Sequence, residues 1–583
     1  MNSVATLAEP SADAASASEW VDLLQSRAHI DAGRIAVGAL KDGEWNAVTP
    51  MTYAQLDLRA RSIAAHLQQE VTVGSVVLLL YGPGLEFVCA LCACLYAGLI
   101  AVPLYPLHRR KLPIISAIAE NAGATLILTE LRNAPEQRHL VLPDVLGRLK
   151  WILTDEIAPD SANDWRKPAI NPSSAAYLQY TSGSTSLPKG VVISHQNAMA
   201  QCRADSRAWK TDRDSCMVSW LPHFHDFGLV FGILQPLFAG FPTFLMPPAA
   251  FVQRPCRWLR AIAEFKATHS GAPNFAFDLC SEKITELEMS NMRLETWTMA
   301  PVGAEPVRES TLQRFANRFS SVGFEASAFC PSYGLAETTL RVTCGSWSRK
   351  READRPGAIA ATSNNQMPPD KADVITTISC GRPEPGTTVI IVDPVSLSPI
   401  ASGIGEVWVR GETVAQGYWR DSAKTKETFH ATPCGSNERF LRTGDLGFFQ
   451  GGELHICGRL KDVIIAHGIN IYPQDIEEAV EESHSSIRRG QSIAFSVSNP
   501  AEEKIVVVAE VHRLCVEPAL HAQIMQLARK AIALKCEVTV SEIRLVRSDT
   551  IPRTSSGKKQ RSRCKDLYAN DQLDVIAAST LRN

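Results

Sequence analysis

Short apolar runs alternate with helical patterns through the first third of the chain, and this alternation constrains the fold most strongly. The runs "SVVLLLYG", "LIAVPLYP", "ATLILTE" and "KWILTDE" are strand-length, almost wholly apolar and bounded by turn residues. Strands that are apolar on both faces need helices on both sides, as in a parallel sheet. The pattern therefore predicts an α/β architecture, and a chain of 583 residues is expected to form two or more domains.

The pattern changes in the second half of the chain. The runs "TTVIIVDP", "GEVWVRGETVAQGYW", "FLRTGDLGFF" and "GELHICGR" are short strands joined by glycine-rich turns, which predicts a small antiparallel, β-barrel-like subdomain. A smaller α+β unit follows, and its first helix is predicted to start at Tyr472–Pro473, with proline in the first turn and acidic residues at the positive end of the helix. We predict a large domain at 1–457 with two parallel-sheet α/β subdomains, a hinge at 458–463 and a small domain at 464–583.

Composition and local patterns exclude several classes of protein. A net charge of −2 argues against a broad nucleic-acid surface, which would need a basic excess. The uncharged run Phe87–Leu107 approaches the roughly 20 residues that a spanning helix needs. However, Gly98, Pro103 and Pro106 interrupt it, so a buried helix followed by a strand explains it better. The N-terminal residues lack the basic start of a secretion signal, so we expect a cytoplasmic protein with no integral membrane segment.

The cysteines and histidines do not form a recognisable metal motif. Cys89 and Cys92 form a C-x-x-C inside the apolar run, but no second pair supplies the four ligands of a zinc site, so they are interpreted as core residues. The sequence His223-x-His225-Asp226 hints at a metallohydrolase, but the spacing and last histidine of H-x-H-x-D-H are missing. A transition-metal site is therefore not predicted.

The loop "YTSGSTSLPKG" at Tyr180–Gly190 concentrates hydroxyls, glycines and one lysine between two strand-like runs. It is not a Walker loop, because Pro188 stands where the second glycine belongs and Lys189 is followed by Gly190. By itself the loop fits either a phosphate-binding turn or a solvent-exposed hairpin.

Four further motifs decide between these readings. They are "SYGLAETT" at Ser332–Thr339, "LRTGDLGF" at Leu441–Phe448, "GRLKDVIIAHG" at Gly458–Gly468 and "PRTSSGKKQR" at Pro552–Arg561. With the loop, in this order, they resemble the adenylate-forming superfamily, which contains acyl-CoA synthetases, peptide-synthetase adenylation domains and luciferases. The resemblance covers nearly the whole chain. It implies attack of a carboxylate on the α-phosphorus of ATP, catalysed by positioning and charge stabilisation with Mg²⁺ and without a protein nucleophile.

The resemblance also implies roles for residues in each motif. The phosphates of ATP would lie against Thr181, Ser182, Gly183, Ser184, Thr185 and Lys189. The nucleoside of AMP would lie against Gly303, Ala304, Glu305, Ser332, Tyr333, Gly334, Leu335 and Ala336, with Tyr333 stacking on adenine and the ribose hydroxyls held by Asp445 and Arg459. The Mg²⁺ ligands would be Glu337 and Thr185.

Three catalytic positions follow from the same resemblance. Lys558 matches a mobile lysine that reaches the reacting phosphate, His225 would border the carboxylate site, and Glu337 would bind the metal.

Asp462 matches the hinge about which the small domain turns. An apolar acyl pocket is predicted at Phe224, Phe227, Gly228, Phe231 and Gly232. Taken singly, Glu337 could cap a helix, Asp445 could be a turn residue and Lys558 could belong to a basic tail.

Particular residues within the motifs resemble those of the fatty acyl-AMP ligase branch of the superfamily. The chain has Ala336 in "YGLAE", "YPQDIE" at Tyr472–Glu477 and "SCGRP" at Ser379–Pro383. It also carries a long polar run at Ser348–Asp373, and we predict a surface insertion there and a second one at Asn133–Gln137. In this branch the longer insertion hinders the domain rotation that admits coenzyme A.

The branch implies a reaction and its partners. A medium- or long-chain fatty acid would be adenylated and passed to the phosphopantetheine thiol of a holo acyl carrier protein. The stretch after Lys558 is too short for a carrier domain, so the carrier is expected in trans, from a polyketide or nonribosomal peptide pathway. The alternatives are a long-chain acyl-CoA synthetase, an amino-acid adenylation module and a non-catalytic acyl-nucleotide binder.

Overall fold

The computed structural model describes residues 19–136, 138–181, 188–347, 377–466, 469–499, 502–513, 517–536, 538–554 and 558–580. The strands are β1 Ile35–Leu40, β2 Val48–Thr52, β3 Val76–Leu80, β4 Ile100–Leu104, β5 Leu126–Thr129, β6 Lys150–Leu153, β7 Ala175–Thr181, β8 Lys189–Ser194, β9 Met217–Ser219, β10 Thr243–Leu245, β11 Ala300–Val302, β12 Phe329–Gly334, β13 Arg341–Cys344, β14 Arg382–Pro383, β15 Thr388–Val392, β16 Gly405–Arg410, β17 Leu441–Gln450, β18 Glu453–Arg459, β19 Ile464–Ala466, β20 Ile469–Ile471, β21 Ile487–Asn499, β22 Glu502–Val511, β23 Glu542–Val546 and β24 Val575–Thr580. The α-helices are α1 Trp20–Ile30, α2 Tyr53–Glu70, α3 Leu85–Ala97, α4 Leu112–Ala122, α5 Asp144–Gly147, α6 His195–Trp209, α7 Gln235–Ala239, α8 Pro248–Gln253, α9 Cys256–Glu264, α10 Asn274–Lys283, α11 Glu286–Met289, α12 Glu309–Phe319, α13 Ser422–Phe429, α14 Pro473–Ser483, α15 Pro518–Cys536 and α16 Arg561–Ala569.

The first sheet contains the apolar strands that the sequence predicts. Its strand order is β6-β5-β3-β4-β7-β8, and all neighbours are parallel except β7 and β8. Strands β3 and β4 are buried along their whole length. The interpretation of Phe87–Leu107 as core is confirmed, since α3 is buried from Phe87 to Ala97 and ends at Gly98 with φ +68°. In the described ranges no helix is long and apolar enough to cross a membrane.

The second sheet is built from two four-stranded parts. Strands β2-β1-β10-β9 form one part and β11-β12-β13-β14 the other. Single parallel bridges join them, from Met217 through His269 to Met299 and from Ala272 to Val302. The centre is parallel, while β2, β13 and β14 are antiparallel to their neighbours. The predicted mixture of α/β subdomains is confirmed.

The predicted antiparallel subdomain is the sheet β15-β16-β17-β18. Beyond β18 the pairing continues, because Ser379 forms an antiparallel bridge with His455 and the Cys380 amide donates to the Leu454 carbonyl at 2.8 Å. The barrel-like form of this subdomain stays a prediction. Strand β18 runs to Arg459, so the first two residues of the predicted hinge belong to the last strand of the large domain.

The small domain has its own core. Strands β21-β22-β23-β24 form one sheet, and apolar residues of α14 and α15 such as Ile476 and Ile532 pack on it around Val507. Helix α14 begins at Pro473 with Tyr472 as its N-cap, as the sequence predicts. This unit carries Lys558 and α16.

The shorter predicted insertion is wrong in its described part. Asn133 is 3% exposed and Ala134 is also buried. The side-chain amide of Asn133 donates to Glu130 Oε1 at 2.7 Å, which satisfies its polar group inside the protein. The longer insertion at Ser348–Asp373 lies outside the described residues.

Candidate active site

The two strands that flank the hydroxyl-rich loop fix its ends. Thr181 in β7 is opposite Lys189 in β8, and a Cβ on Gly190 would lie 2.9 Å from the ring of Tyr180, so glycine allows this close approach. The Lys189 ammonium lies 5.2 Å from the ring centroid of Tyr418. The predicted phosphate-binding residues Ser182, Gly183, Ser184 and Thr185 lie outside the described residues.

Glu337 shares a neighbour with Lys189. The Tyr418 hydroxyl donates to Glu337 Oε1 at 2.8 Å, and the Glu337 carbonyl accepts the amide of Ala415 at 2.9 Å. Burial raises the pKa of the Glu337 carboxyl, and the Tyr418 hydrogen bond and Arg459 only partly oppose the rise. A half-buried carboxylate that accepts a hydrogen bond from a neutral phenol is one that a divalent cation would stabilise, so Glu337 fits a Mg²⁺ ligand.

Tyr333, Asp445 and Arg459 come together from three separate motifs. The Tyr333 hydroxyl donates to Asp445 Oδ2 at 2.8 Å, and Arg459 Nε lies 3.2 Å from Asp445 Oδ1. Asp445 and Arg459 face each other across β17 and β18. Gly444 has φ +70°, and the Asp445 amide donates to Thr443 Oγ1 at 3.1 Å, so this turn holds the carboxylate in place. The arrangement presents one buried carboxylate beside one aromatic ring.

The segment Gly303–Ala304–Glu305 runs beside this group. It leaves β11, which pairs in parallel with β12, so a Cβ on Gly303 would lie 2.9 Å from the Ser332 carbonyl oxygen. Ala304 has φ +70°. Glu305 Oε1 is buried and makes no hydrogen bond within the described ranges. The other predicted nucleoside contacts continue along or directly after β12, at Ser332, Gly334, Leu335 and Ala336.

The small domain brings Lys558 to the large domain's aspartates. Burial lowers the pKa of Lys558, while the charges of Asp226 and Asp445 oppose that shift and Arg459 adds to it. Burial raises the pKa of Asp226, but His225 and Lys558 outweigh burial and hold it at about 2. His225 Nδ1 lies 2.5 Å from Asp226 Oδ1. The charges of the large domain's aspartates therefore reach Lys558 of the small domain.

The sequence analysis did not predict an electrostatic role for Asp226. It follows His225 directly and was considered there only for a metal, yet in the fold its charge and that of Lys558 act on each other's pKa. Its Oδ1 also accepts the Phe227 amide at 2.7 Å. His223 is buried, and its ring packs 4.1 Å from that of Phe87. Within the described ranges no group of three or more metal-ligating side chains occurs.

The predicted acyl-pocket residues lie mainly in packed structure. Phe227 and Phe231 belong to a π-helix at Phe227–Leu234, and their rings are 5.3 Å apart. A Cβ on Gly228 would lie 2.1 Å from the Pro222 carbonyl oxygen, and one on Gly232 would lie 2.7 Å from Ser219 Oγ. Of the five residues, Phe224 alone lines the small cavity beside the phosphate loop, together with Pro103, Leu104, Tyr105, Ile114, Ile118, Tyr180, Thr181 and Pro188. The pocket stays a prediction.

The predicted hinge residue is tied to the small domain. Asp462 Oδ2 lies 3.1 Å from Arg561 Nη1, and the Arg561 guanidinium also binds Glu477. Any rotation at Asp462 therefore carries α16 and α14 with it.

The cleft as a whole suits a polyanion that carries a nucleoside. Lys189, Arg459 and Lys558 supply positive charge, and Glu337 and Asp445 supply acceptors for a cation and for hydroxyl groups. Such a site can orient a phosphate ester and stabilise charge on its oxygens.

Two family models match the chain. One described as "AMP-binding enzyme" matches residues 25–419, and one described as "Disco-interacting protein 2-like, AMP domain" matches residues 461–578. A medium-chain fatty acid–acyl-carrier-protein ligase of Moorena producens is 42% identical over 569 residues, which cover 96% of each chain. A putative fatty-acid–CoA ligase of Mycobacterium tuberculosis is 36% identical over 584 residues, which cover 95% of this chain and 99% of the relative.

A solved structure is similar over the whole chain. The fatty acyl-adenylate ligase of Legionella pneumophila, solved in complex with acyl adenylate and pyrophosphate, has a TM-score of 0.73 and 33% sequence identity. The match covers 98% of this chain and 99% of the Legionella chain.

Proposed function

This chain belongs to the AMP-binding enzyme family, and on that premise we propose that it is a fatty acyl-AMP ligase. In the proposed reaction a carboxylate oxygen of a medium- or long-chain fatty acid attacks the α-phosphorus of ATP. Pyrophosphate leaves, and the acyl-adenylate then acylates the phosphopantetheine thiol of a holo acyl carrier protein with loss of AMP. The observation that carries the proposal is the meeting of Tyr333, Asp445 and Arg459 from three separate motifs, with Lys558 of the small domain near enough for the charge of Asp445 to act on it.

We assign the triphosphate to the loop and its lysine. Thr181, Lys189 and the predicted donors Ser182, Gly183, Ser184 and Thr185 would bind the β- and γ-phosphates. Lys189 stands over the Tyr418 ring, which keeps its ammonium next to the Tyr418–Glu337 hydrogen bond. A Mg²⁺ held by Glu337 and Thr185 would neutralise phosphate charge when bound.

We assign the nucleoside to the Tyr333–Asp445–Arg459 group. An ionised carboxylate has about four acceptor positions, so Asp445 can accept ribose hydroxyls in addition to its contacts with Tyr333 and Arg459. Tyr333 would stack on the adenine, and Gly303, Ala304 and Glu305 would line it. A Cβ on Gly303 would lie 2.9 Å from the Ser332 carbonyl oxygen, so glycine keeps this segment close to β12, which carries Tyr333.

Lys558 and His225 are assigned to the reacting groups. The Lys558 ammonium would approach the α-phosphate and carboxylate oxygens, where negative charge develops. His225 would border the carboxylate, with its ring held by Asp226. Because the charge of Asp226 favours the protonated form of Lys558, an incoming phosphate would take over or share that stabilisation of the ammonium.

The acyl acceptor separates this proposal from its main alternative. The Moorena relative is named for an acyl carrier protein, whereas the Mycobacterium relative is named for coenzyme A. We favour the carrier because the more similar of the two acts on it and because the polar run Ser348–Asp373 matches the branch insertion. The pathway class, polyketide or nonribosomal peptide, stays a prediction.

One assay tests both parts of the proposal. Radiolabelled dodecanoate and ATP are incubated with the full chain and either coenzyme A or a holo carrier protein, with the apo carrier as control. We expect dodecanoate-dependent pyrophosphate release and label on the holo carrier only. Label on coenzyme A would favour the synthetase alternative, and no pyrophosphate with any fatty acid would remove the proposed function.

A variant lacking residues 350–371 sharpens the choice of acceptor. If the insertion restricts access, this variant gains acylation of coenzyme A while its pyrophosphate release stays near the wild-type rate. An unchanged preference for the carrier would show that the insertion does not set the acceptor.

A further inference from the structure

Arg308 makes ion pairs with both domains at once. Its Nη2 lies 2.9 Å from Asp278 Oδ2 of the large domain, and its Nη1 lies 3.1 Å from Glu481 Oε2 of the small domain. Asp278 and Glu481 side chains are 7% and 4% exposed, so both carboxylates are largely out of water. Burial lowers the pKa of Arg308, but Asp278 and Glu481 outweigh burial and hold it above its ordinary value.

On the large-domain side, Arg308 is held rigidly. Its amide donates to Asn274 Oδ1 at 3.0 Å, and the Asn274 amide side chain donates to the Pro306 carbonyl at 2.9 Å. Thr311 Oγ1 donates to the same Asp278 oxygen at 3.1 Å. Arg308 also follows Glu305, the end of the predicted nucleoside segment, by three residues. Its guanidinium is therefore fixed relative to the nucleoside site.

On the small-domain side, Glu481 organises the turn next to Lys558. It accepts the amides of Gly490 at 2.7 Å and Ser492 at 3.1 Å. The Gly490 carbonyl in turn accepts a hydrogen bond from Arg553, and Arg553 pairs with Lys559 as an antiparallel bridge.

The same bridge carries Lys558. The Lys558 amide donates to Thr554 Oγ1 at 3.0 Å, and the Lys558 carbonyl accepts the Thr554 amide at 2.8 Å. Lys559 Nζ donates to the Ser492 carbonyl at 2.7 Å and lies 3.9 Å from Glu481 Oε1. A continuous set of contacts thus links Arg308, through Glu481 and the turn at Gly490–Ser492, to the segment that presents Lys558.

We propose that Arg308 is a positioning residue for adenylation: by bridging Asp278 and Glu481 it holds the small domain where Lys558 enters the cleft, and it releases Glu481 before acyl transfer. The proposal rests on the proposed function for its two half-reactions. A bridge between two rigid parts favours one arrangement of the domains by its own interaction energy. Loss of the Arg308 bridge should therefore slow adenylation, which needs this arrangement of the domains, and should not slow acyl transfer.

The test measures the two half-reactions separately in Arg308→Gln. Fatty-acid-dependent ATP–pyrophosphate exchange should fall about tenfold, in the ordinary range of coupling between sites. Transfer from purified dodecanoyl-adenylate to a holo carrier should be unchanged or faster. Arg308→Lys, which keeps the charge, should recover part of the exchange rate.

Arg314→Gln is the matched control. Arg314 Nη2 lies 3.4 Å from the other oxygen of Asp278, so the variant removes a cation from the same carboxylate without removing a bond to Glu481. A double-mutant cycle with Glu481→Gln should be non-additive with Arg308→Gln, because both changes break one bridge. Equal losses in both half-reactions, an equal loss in Arg314→Gln or additive losses would overturn the proposal.

A readout without activity separates this proposal from the proposed function. Hydrogen–deuterium exchange of residues 303–311 should be faster in Arg308→Gln than in the wild type or Arg314→Gln. An unchanged hydrogen–deuterium exchange rate of residues 303–311 in Arg308→Gln would also contradict the proposed bridge. A wild-type chain that forms no adenylate would refute the proposed function alone, while the exchange measurement would still decide about Arg308.

Discussion

Among single residues, Lys558 links the two domains chemically. It sits at the end of a Ser/Thr/Gly stretch that reads as a basic tail in isolation, yet the fold brings it to the charges of Asp226 and Asp445. A half-buried ammonium that feels the charges of two carboxylates is suited to an incoming phosphate, and its role should be visible in the rate more than in affinity.

Lys558→Ala tests that role. Because the ammonium would stabilise charge that develops on the phosphate and carboxylate oxygens, we expect adenylation to fall by roughly 10²-fold or more. ATP binding, measured by calorimetry, should stay within a few-fold of the wild type, roughly 1 kcal/mol. Lys565→Ala, an exposed lysine on α16, is the control and should be unaffected. Full turnover in Lys558→Ala would refute the assignment.

Asp226→Asn tests the electrostatic pairing. Burial lowers the pKa of Lys558 and the charge of Asp226 opposes this, so removing that charge lowers the lysine pKa further. The lysine then loses its proton at a lower pH, and the alkaline limb of the adenylation profile should move to lower pH. Rates are compared from about pH 6 to pH 11, a range that includes the ordinary lysine pKa of about 10.4.

The control for this change is Asp160→Asn, at an exposed position. Its alkaline limb should coincide with that of the wild type. An alkaline limb that stays in place in Asp226→Asn would contradict the pairing with Lys558.

Several residues that meet at the candidate site could be named from local sequence, whereas their contacts could not. The motifs carry Tyr333, Asp445 and Arg459 in recognisable contexts, and the fold joins the three. Asp226 and Arg308 gave no such signal, since an aspartate beside a histidine and an arginine before a helix are ordinary. Arg308 meets Glu481 across 173 positions of sequence, and only the fold supplies that contact.

At the scale of elements, the strands and the first helix of the small domain were well specified. The apolar strands β3 to β6 and the Pro473 start of α14 follow from pattern and from proline chemistry. The π-helix at Phe227–Leu234 could not be predicted in this way, because "FGLVFGIL" is apolar throughout and shows no periodicity that distinguishes helix types. Buried Asn133 was misjudged because its polarity suggested a surface, whereas an internal hydrogen bond satisfies it.

The glycines of the π-helix give a test at this scale. Gly228→Ala would push a Cβ against the Pro222 carbonyl, which is backbone and cannot rotate away, so we expect a loss of about 2–3 kcal/mol in unfolding free energy. Gly232→Ala meets only the Ser219 side chain and should cost less, about 1 kcal/mol. Denaturant unfolding followed by circular dichroism measures both.

A second substitution checks the cause. Ser219→Ala removes the oxygen that a Cβ at position 232 would meet, so it should relieve Gly232→Ala and leave Gly228→Ala unchanged. Equal costs for the two glycine variants, or no relief by Ser219→Ala, would contradict this packing.

At the scale of the whole molecule, the proposed site needs residues from both predicted domains. The large domain supplies Glu337, Asp445 and the ends of the phosphate loop, and the small domain supplies Lys558. The Arg308 ion pairs with Asp278 and Glu481, and the Asp462–Arg561 pair at the predicted hinge, are contacts through which the arrangement could be kept or released. The two-domain division stays a prediction, and the side chains that join the predicted units required the fold.

Isotope transfer tests the central claim most directly, that a fatty carboxylate attacks the α-phosphorus of ATP in this cleft. Dodecanoate labelled with ¹⁸O in both carboxylate oxygens is incubated with ATP, the full chain and a holo carrier, and the products are analysed by mass spectrometry. We predict one ¹⁸O atom in the phosphate of AMP and none in pyrophosphate. Label in inorganic phosphate, or unlabelled AMP from a turning-over enzyme, would contradict the account.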